Sequence, residues 1–373
     1  MVTPSTRQQP GSEVRGTPRP KVAVVYTTPE TVLDDIGRAM RLADYDAYLP
    51  KDLSTLLKIN ISWQHYYPAC STTPWQLEGV IKTLQQDGYR DLVPTHNGTV
   101  VVDAAEGRAS NKHDVVESNY GLESVYLESV EWMPYEPKSK MLVLDQVYPD
   151  GIRIPRMLQG KNIVHLPTMK THVFTTITGA MKNAFGGLLN FQRHWTHSAI
   201  HETLVDLLAI QKEIHPGLFA VTDGTFAGDG PGPRAMRWQV KNVLLASADQ
   251  VAIDAVSARM MGFDPMSIKF IRLGHELGLG CGDVSEIEIV GEDISEVDWR
   301  FAGAENTLAS RGQKLIYWGP LNPLEKMLLR SPIAPWAYLA SNLYHNQYWM
   351  RFKGRRRVRD AMKTEWGKLF QSY

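Results

Sequence analysis

Short apolar runs rich in β-branched residues recur along this chain, and the stretches between them carry apolar side chains at helical spacing. Strands are predicted at Lys21–Thr27, Leu56–Ser62, Thr99–Asp103, Ser124–Val130, Met141–Asp145, Asn162–Pro167, Leu218–Asp223, Val243–Ser247 and Ile287–Val290. Pro29 opens a helix that runs through Leu42. Thr72-Thr73-Pro74 starts another, with Leu77, Val80, Ile81 and Leu84 on one face and Gly88 as its stop. Thr175–Ala184, Ser198–Ile214 and Asp249–Met261 complete the helical pattern, the last ended by Gly262. Strands alternating with helices predict an α/β fold, a mainly parallel sheet flanked by helices.

The same pattern divides the chain. Residues 1–20 have no apolar segment and read as a disordered leader without a secretory signal. Residues 21–312 form the α/β core, either one unit or two lobes parted near residue 150. From residue 313 onward, prolines at 320, 323, 332 and 335 break the rhythm, and residues 313–373 read as a helical, aromatic and basic appendage.

Composition narrows the function classes. Hydrophobic residues make up 43% and charged residues 21% of the 373, which are globular values. Net charge is zero, yet the segment from Ser331 carries eight Lys/Arg against Asp360 and Glu365. That tail is therefore +6 and the remainder −6, an asymmetry suited to an anionic surface. Cys70 and Cys281 are too few for an iron–sulfur cluster. The expected setting is the reducing cytoplasm; the tail either packs on the core or a second subunit, leaving its arginines solvated, or attaches peripherally at the inner membrane face. The chain has no membrane-length apolar run, and no nucleic-acid-binding module is visible.

Candidate chemistry concentrates between His165 and Gly232. Burying polar groups unpaired costs on the order of 2–7 kcal/mol each, so their density there predicts a pocket for an anion, a metal or both. Lys170 and His172 follow the strand Asn162–Pro167 at its carboxyl end, where open α/β sheets bind ligands. Either they serve such a ligand, or they are a surface charge and a satisfied loop histidine. Lys182, beside Asn183, is flanked by Ala180, Met181, Ala184 and Phe185, so it needs a counter-charge, a ligand or a route to solvent. His194, His197 and His201 fall on one side of a helix; His197 and His201 are candidate metal ligands, though the HExxH pattern is missing. Asp223 ends a strand, and Gly228, Asp229 and Gly230 lie in AGDGPGP, which is either an anion nest or a rigid turn. Asp254, among apolar residues, calls for a partner such as Lys170 or Lys182.

The order LPTMKTH, TGAMKNAFGG, VTDGTFAGDGPGP, ASADQVAIDAVSARMMGFDP and HELGLG resembles the family catalogued as domain of unknown function 362, from about Lys58 to Gly291. Many relatives in that family carry export signals or ferredoxin-type cysteine motifs, which this sequence lacks. A more distant similarity is to lactate-racemase-like proteins, which hold a nickel-pincer nucleotide. That likeness implies that Lys182 anchors the cofactor, His197 or His201 ligates metal and His172 moves a proton.

Together these readings predict an enzyme acting on a small anionic organic substrate by proton or hydride transfer. Lys170, His172 and Lys182 would be catalytic, with Asn183, Asp223, Gly228, Asp229 and Gly230 binding substrate or cofactor. A divalent metal or a nickel-pincer-type nucleotide is the expected cofactor. The other reading is a non-catalytic carrier of a metal or anionic metabolite. Expected partners are a small anion, a second copy of the chain and an anionic membrane surface, with no nucleic acid.

Overall fold

The computed structural model describes residues 19–98, 102–189, 191–303, 305, 308–320, 322–324, 327 and 343–373. The expected leader thus lies outside the described residues except at its last two positions. The strands are β1 (Lys21–Tyr26), β2 (Thr55–Ile59), β3 (Leu92–His96), β4 (Val125–Tyr126), β5 (Trp132–Tyr135) and β6 (Ile152–Pro155). They continue as β7 (Asn162–Leu166), β8 (Thr168–His172), β9 (Thr176–Ile177), β10 (Leu218–Asp229), β11 (Arg237–Ser247) and β12 (Glu288–Gly291).

A ten-stranded sheet runs β12-β1-β11-β10-β7-β2-β3-β4, with β8 paired to β10 and β9 to β8. Pairing is parallel except where β11 meets β1 and β10 and where β9 meets β8. Strands from both sides of residue 150 share this sheet, and β5 and β6 form a separate hairpin. The mainly parallel α/β fold read from the sequence is therefore the fold observed.

Strand alternation sorts the core into two faces. Val22 and Val24 of β1 point to the helices Ile200–Ile214, Gln250–Met261 and Lys269–Glu276. Ala23 and Val25 point to Val32–Leu42 and Pro74–Gln86. Part of the tail belongs to this second face: Trp366 and Phe370 are buried in it, and Trp366 Nε1 donates to Asn242 Oδ1 at 2.7 Å. The tail is helical at Leu343–Gly354, Arg355–Ala361 and Glu365–Ser372, while Pro335, Trp336 and Leu339 lie outside the described residues.

Several elements depart from the sequence pattern for local reasons. Met141–Asp145 is not a strand: the Asp206 carboxylate accepts the N–H groups of Leu142, Val143 and Leu144 at 2.7–3.0 Å and starts a short helix there. Thr99–Asp103 is partly outside the described residues. Its end, Asp103, caps the helix Ala104–Ser110 by accepting from Glu106 N at 2.9 Å. The strand of that region is β3 instead, unmarked by the pattern because Pro94 sits in its middle. Thr175–Ala184 splits, since Thr176 and Gly179 both adopt positive φ, 65° and 69°. Thr176–Ile177 pairs with β8, and the helix proper is Gly179–Asn183.

That short helix is fixed by a buried acid. Asp254 accepts from Ala180 N at 2.5 Å and Met181 N at 3.1 Å. A Cβ on Gly179 would stand 2.3 Å from Asp254 Oδ2, so only glycine fits. Burial pushes the Asp254 carboxyl up to about 7, against the pull of the two N–H groups. Asp254 thus serves backbone rather than Lys170 or Lys182. Gly179→Ala and Asp254→Ala should each lower unfolding free energy by about 2–4 kcal/mol in urea titrations. Gly312→Ala, whose new Cβ meets nothing within 4 Å, should be neutral or slightly stabilising. A Gly179→Ala cost below about 0.5 kcal/mol, the range of featureless surface changes, would contradict the clamp.

Candidate functional site

β8 carries Lys170 and His172 along the edge of β10. Lys170 is fully buried, and its Nζ donates to Ser62 Oγ at 3.0 Å and Cys70 O at 2.5 Å. Gly228 lies against it: a Cβ there would be 3.1 Å from Lys170 Cβ and 2.6 Å from Met236 Sδ. The AGDGPGP segment is the turn of the β10–β11 hairpin laid on β8. Thr171 Oγ1 donates to Gly230 O at 2.7 Å, Val173 N donates to Gly232 O at 3.2 Å, and Gly232 N closes on Gly230 O at 2.7 Å. Its glycines are thus used for close backbone packing beside Lys170.

Lys182 projects from the clamped helix, half-buried, with Nζ 4.9 Å from the Phe185 ring centroid. It has no hydrogen-bond acceptor or ion-pair partner among the described residues. Burial pushes its amine down to about 7, and the charges of Lys170 and Arg193 push the same way. Lys58, at the end of β2, is buried and also lowered to about 7, by desolvation first and Arg193 second, with Glu128 opposing. Its Nζ donates to Ile59 O at 2.7 Å. Gly187 makes room for it, since a Cβ there would lie 3.0 Å from Lys58 Cε. Lys170 is lowered to about 8 by burial.

Histidines complete the cluster. His172 accepts from Phe174 N through Nδ1 at 3.2 Å, and burial, then Lys182, His197, Lys170 and His201, hold it well below the usual imidazole range. His197 donates from Nδ1 to His194 O at 3.0 Å, which leaves Nε2 as the acceptor. Burial and Lys182 lower its pKa to about 3. His201 stacks on Phe270, and its buried Nδ1 has no partner among the described residues. These imidazoles are therefore neutral at pH 7.

Not every predicted residue joins them. Asn183 donates to Lys58 O at 2.8 Å and contacts His165 Nδ1 at 3.3 Å, so it positions the β2 end. Asp223 accepts from Thr73 Oγ1 at 2.5 Å and Thr225 N at 2.6 Å, beside the start of the Pro74–Gln86 helix. Asp229 pairs with Arg237 at 3.0 Å and accepts from Ala302 N at 2.7 Å. Sequence reasoning missed Lys58, Arg193 and Glu128. Lys58 carried the same signal as Lys182, a lysine among apolar neighbours; Glu128 carried none.

A cavity of about 250 Å³ adjoins the cluster, lined among others by Asn97, Glu128, Arg153, Gly186 and Arg193. Glu128 Oε1 accepts from Gly98 N at 2.9 Å, while buried Oε2 has no partner among the described residues. Arg193 Nη2 donates to Gly98 O at 2.5 Å, and burial lowers its pKa to about 10. This donor set suits an anion. It suits a protein-held metal ion less well: among the described residues, the one group of three ligand atoms within 4.8 Å of one another is His275, Cys281 and Glu286, outside this cluster.

A family model described as Domain of unknown function (DUF362) matches residues 55–259. A protein of Synechocystis sp. named thylakoid-associated is 31% identical over 124 residues, which span 31% of this chain and 37% of that relative. No solved structure matches. Among the described residues, no helix is long and apolar enough to cross a membrane.

The depressed lysines carry a signed pH dependence. Between about pH 7 and the ordinary lysine value of 10.5, the unfolded chain binds protons that the native Lys182 amine lacks. Native stability from this group therefore rises with pH through that window and is lowest below it. Lys182→Met should be more stable than wild type at pH 7, and the difference should shrink by at least about 1 kcal/mol by pH 9.5. Paired thermal or urea unfolding at the two pH values checks this; a difference independent of pH would refute it.

Proposed function

The chain belongs to the family of domain of unknown function 362, and from that premise we propose that its cationic cluster binds a small organic anion and moves a proton on it. The observation that carries this reading is Lys182: half-buried, without an acceptor among the described residues, and next to Lys170 and Arg193. An anion supplies the missing negative charge, raises the lysine pKa values and turns a costly arrangement into a paired one.

Lys58, Lys182 and Arg193 are assigned to the carboxylate or phosphate of the ligand. An amine lowered to about 7 is suited to take and return a proton near neutral pH, and the charge of a bound anion raises the lowered pKa values of the His172 and His197 imidazoles toward that range. Glu128, with its unpartnered Oε2 in the cavity, is a further acceptor. The lysines fit the phosphate of a phosphorylated cofactor, whereas the histidines do not gather three ligand atoms for a metal ion. No step is assigned to a nickel-pincer nucleotide or a divalent ion.

Isothermal titration with inorganic phosphate and with a panel of 2-hydroxy and 2-oxo acids tests binding. At least one should bind with proton uptake at pH 8, and Lys182→Ala should weaken it roughly tenfold or more, about 1.4 kcal/mol. Deuterium incorporation into the bound acid in D₂O, lost in Lys182→Ala or His172→Ala, supports proton transfer. Binding without exchange favours the carrier reading, and no binding by any member at low salt overturns the anion site.

A further inference from the structure

We infer that the tail helices Leu343–Gly354 and Arg355–Ala361 form an anionic-membrane docking surface. The tail is held to the core from beneath. Trp349 and Met350 are buried against Trp63 and Tyr67, Trp63 Nε1 donates to Asn346 Oδ1 at 2.6 Å, and Arg357 Nη1 donates to Met236 O at 2.6 Å. Among the described residues its outer side is displayed instead of covered. Leu343 is 52% exposed, Tyr348 57% and Phe352 70%, and the rings of Tyr344, Tyr348 and Phe352 follow one another at 6.1 and 5.4 Å. Large apolar side chains left together at a surface mark a contact with something else.

The charge beside this ladder identifies what. Arg351, Lys353, Arg355, Arg356 and Arg359 are all exposed and have no ion-pair partner among the described residues. Lys363 and Lys368, by contrast, pair with Asp360 and Glu365. Between these arginines and the His65-Tyr66 segment lies a cleft of about 920 Å³, lined by Arg351, Arg355, Arg356 and Arg359. Aromatic rings at headgroup depth next to unpaired arginines are the chemistry of a helix lying on anionic phospholipid. The rest of the chain, at −6 against the tail's +6, is repelled by the same lipid, so the protein approaches tail first. The cleft accepts headgroup phosphates while Tyr348 and Phe352 enter the interface.

Co-sedimentation of the full chain with phosphatidylglycerol-containing vesicles tests this against phosphatidylcholine vesicles and a DNA duplex. Binding to anionic vesicles alone is expected, falling as salt rises. Arg355→Glu/Arg356→Glu/Arg359→Glu should lose roughly a hundredfold or more in affinity, and Tyr348→Ser/Phe352→Ser about tenfold. Both sets alter exposed side chains, so a melting temperature within a few degrees of wild type confirms that the fold is kept. Equal partition onto phosphatidylcholine, undiminished binding by the charge-reversed variant, preference for the duplex, or no sedimentation at low salt would each overturn the inference.

Discussion

Like charges repel more strongly where water is excluded, and this protein places Lys58, Lys170, Lys182 and Arg193 in one desolvated region. Burial is the first cause of the lowered pKa for all four. Lys58 and Lys170 spend hydrogen bonds on carbonyl and hydroxyl oxygens, and Arg193 does so on Gly98. Among the described residues Lys182 has only the face of Phe185. A chain with no use for such an arrangement gains by replacing one of these cations with an apolar side chain. That cost is the ground on which a bound anion is proposed.

The surrounding scaffold is arranged to keep the cluster rigid. Asp254 and Gly179 hold the start of the Gly179–Asn183 helix, and Asn183 at its other end ties it to Lys58 O and His165. Gly187 admits Lys58, and Gly228 admits Lys170. Acids that could have neutralised the lysines are committed elsewhere: Asp206 to three backbone N–H groups, Asp223 to Thr73 and Thr225, Asp229 to Arg237. Glu128 remains the acid whose charge reaches Lys58 and Arg193. The fold thus commits Asp206, Asp223 and Asp229 elsewhere while it gathers the cations.

Much of this was legible in the residues and some was not, for identifiable reasons. Apolar periodicity located β1, β2, β7, β12 and the helices Ile200–Ile214 and Gln250–Met261, because each buries a face that the period reports. It failed at Met141–Asp145, where a long-range carboxylate sets the backbone, and at β3, where proline masks a strand. Lys170, His172 and Lys182 stood out as charges among apolar neighbours, and they lie within one another's fields. Asp254 stood out equally, yet its partners are N–H groups, which no sequence pattern displays. Asp229 and the glycines of AGDGPGP left an anion nest and a rigid turn both open, because sequence cannot tell a loop folded on a ligand from one folded on β8.

The central claim is that the lysine cluster is electrostatically incomplete without an anion. It is tested most directly by an NMR titration of the full chain with ¹³C-labelled lysine side chains, with and without inorganic phosphate or the tightest-binding acid. The account predicts a resonance, absent in Lys182→Met, that titrates near pH 7 in the free protein and moves up by a unit or more when the anion is bound. If every lysine titrates near 10.5 in the free protein, the cluster is solvated or already neutralised, and the account is wrong.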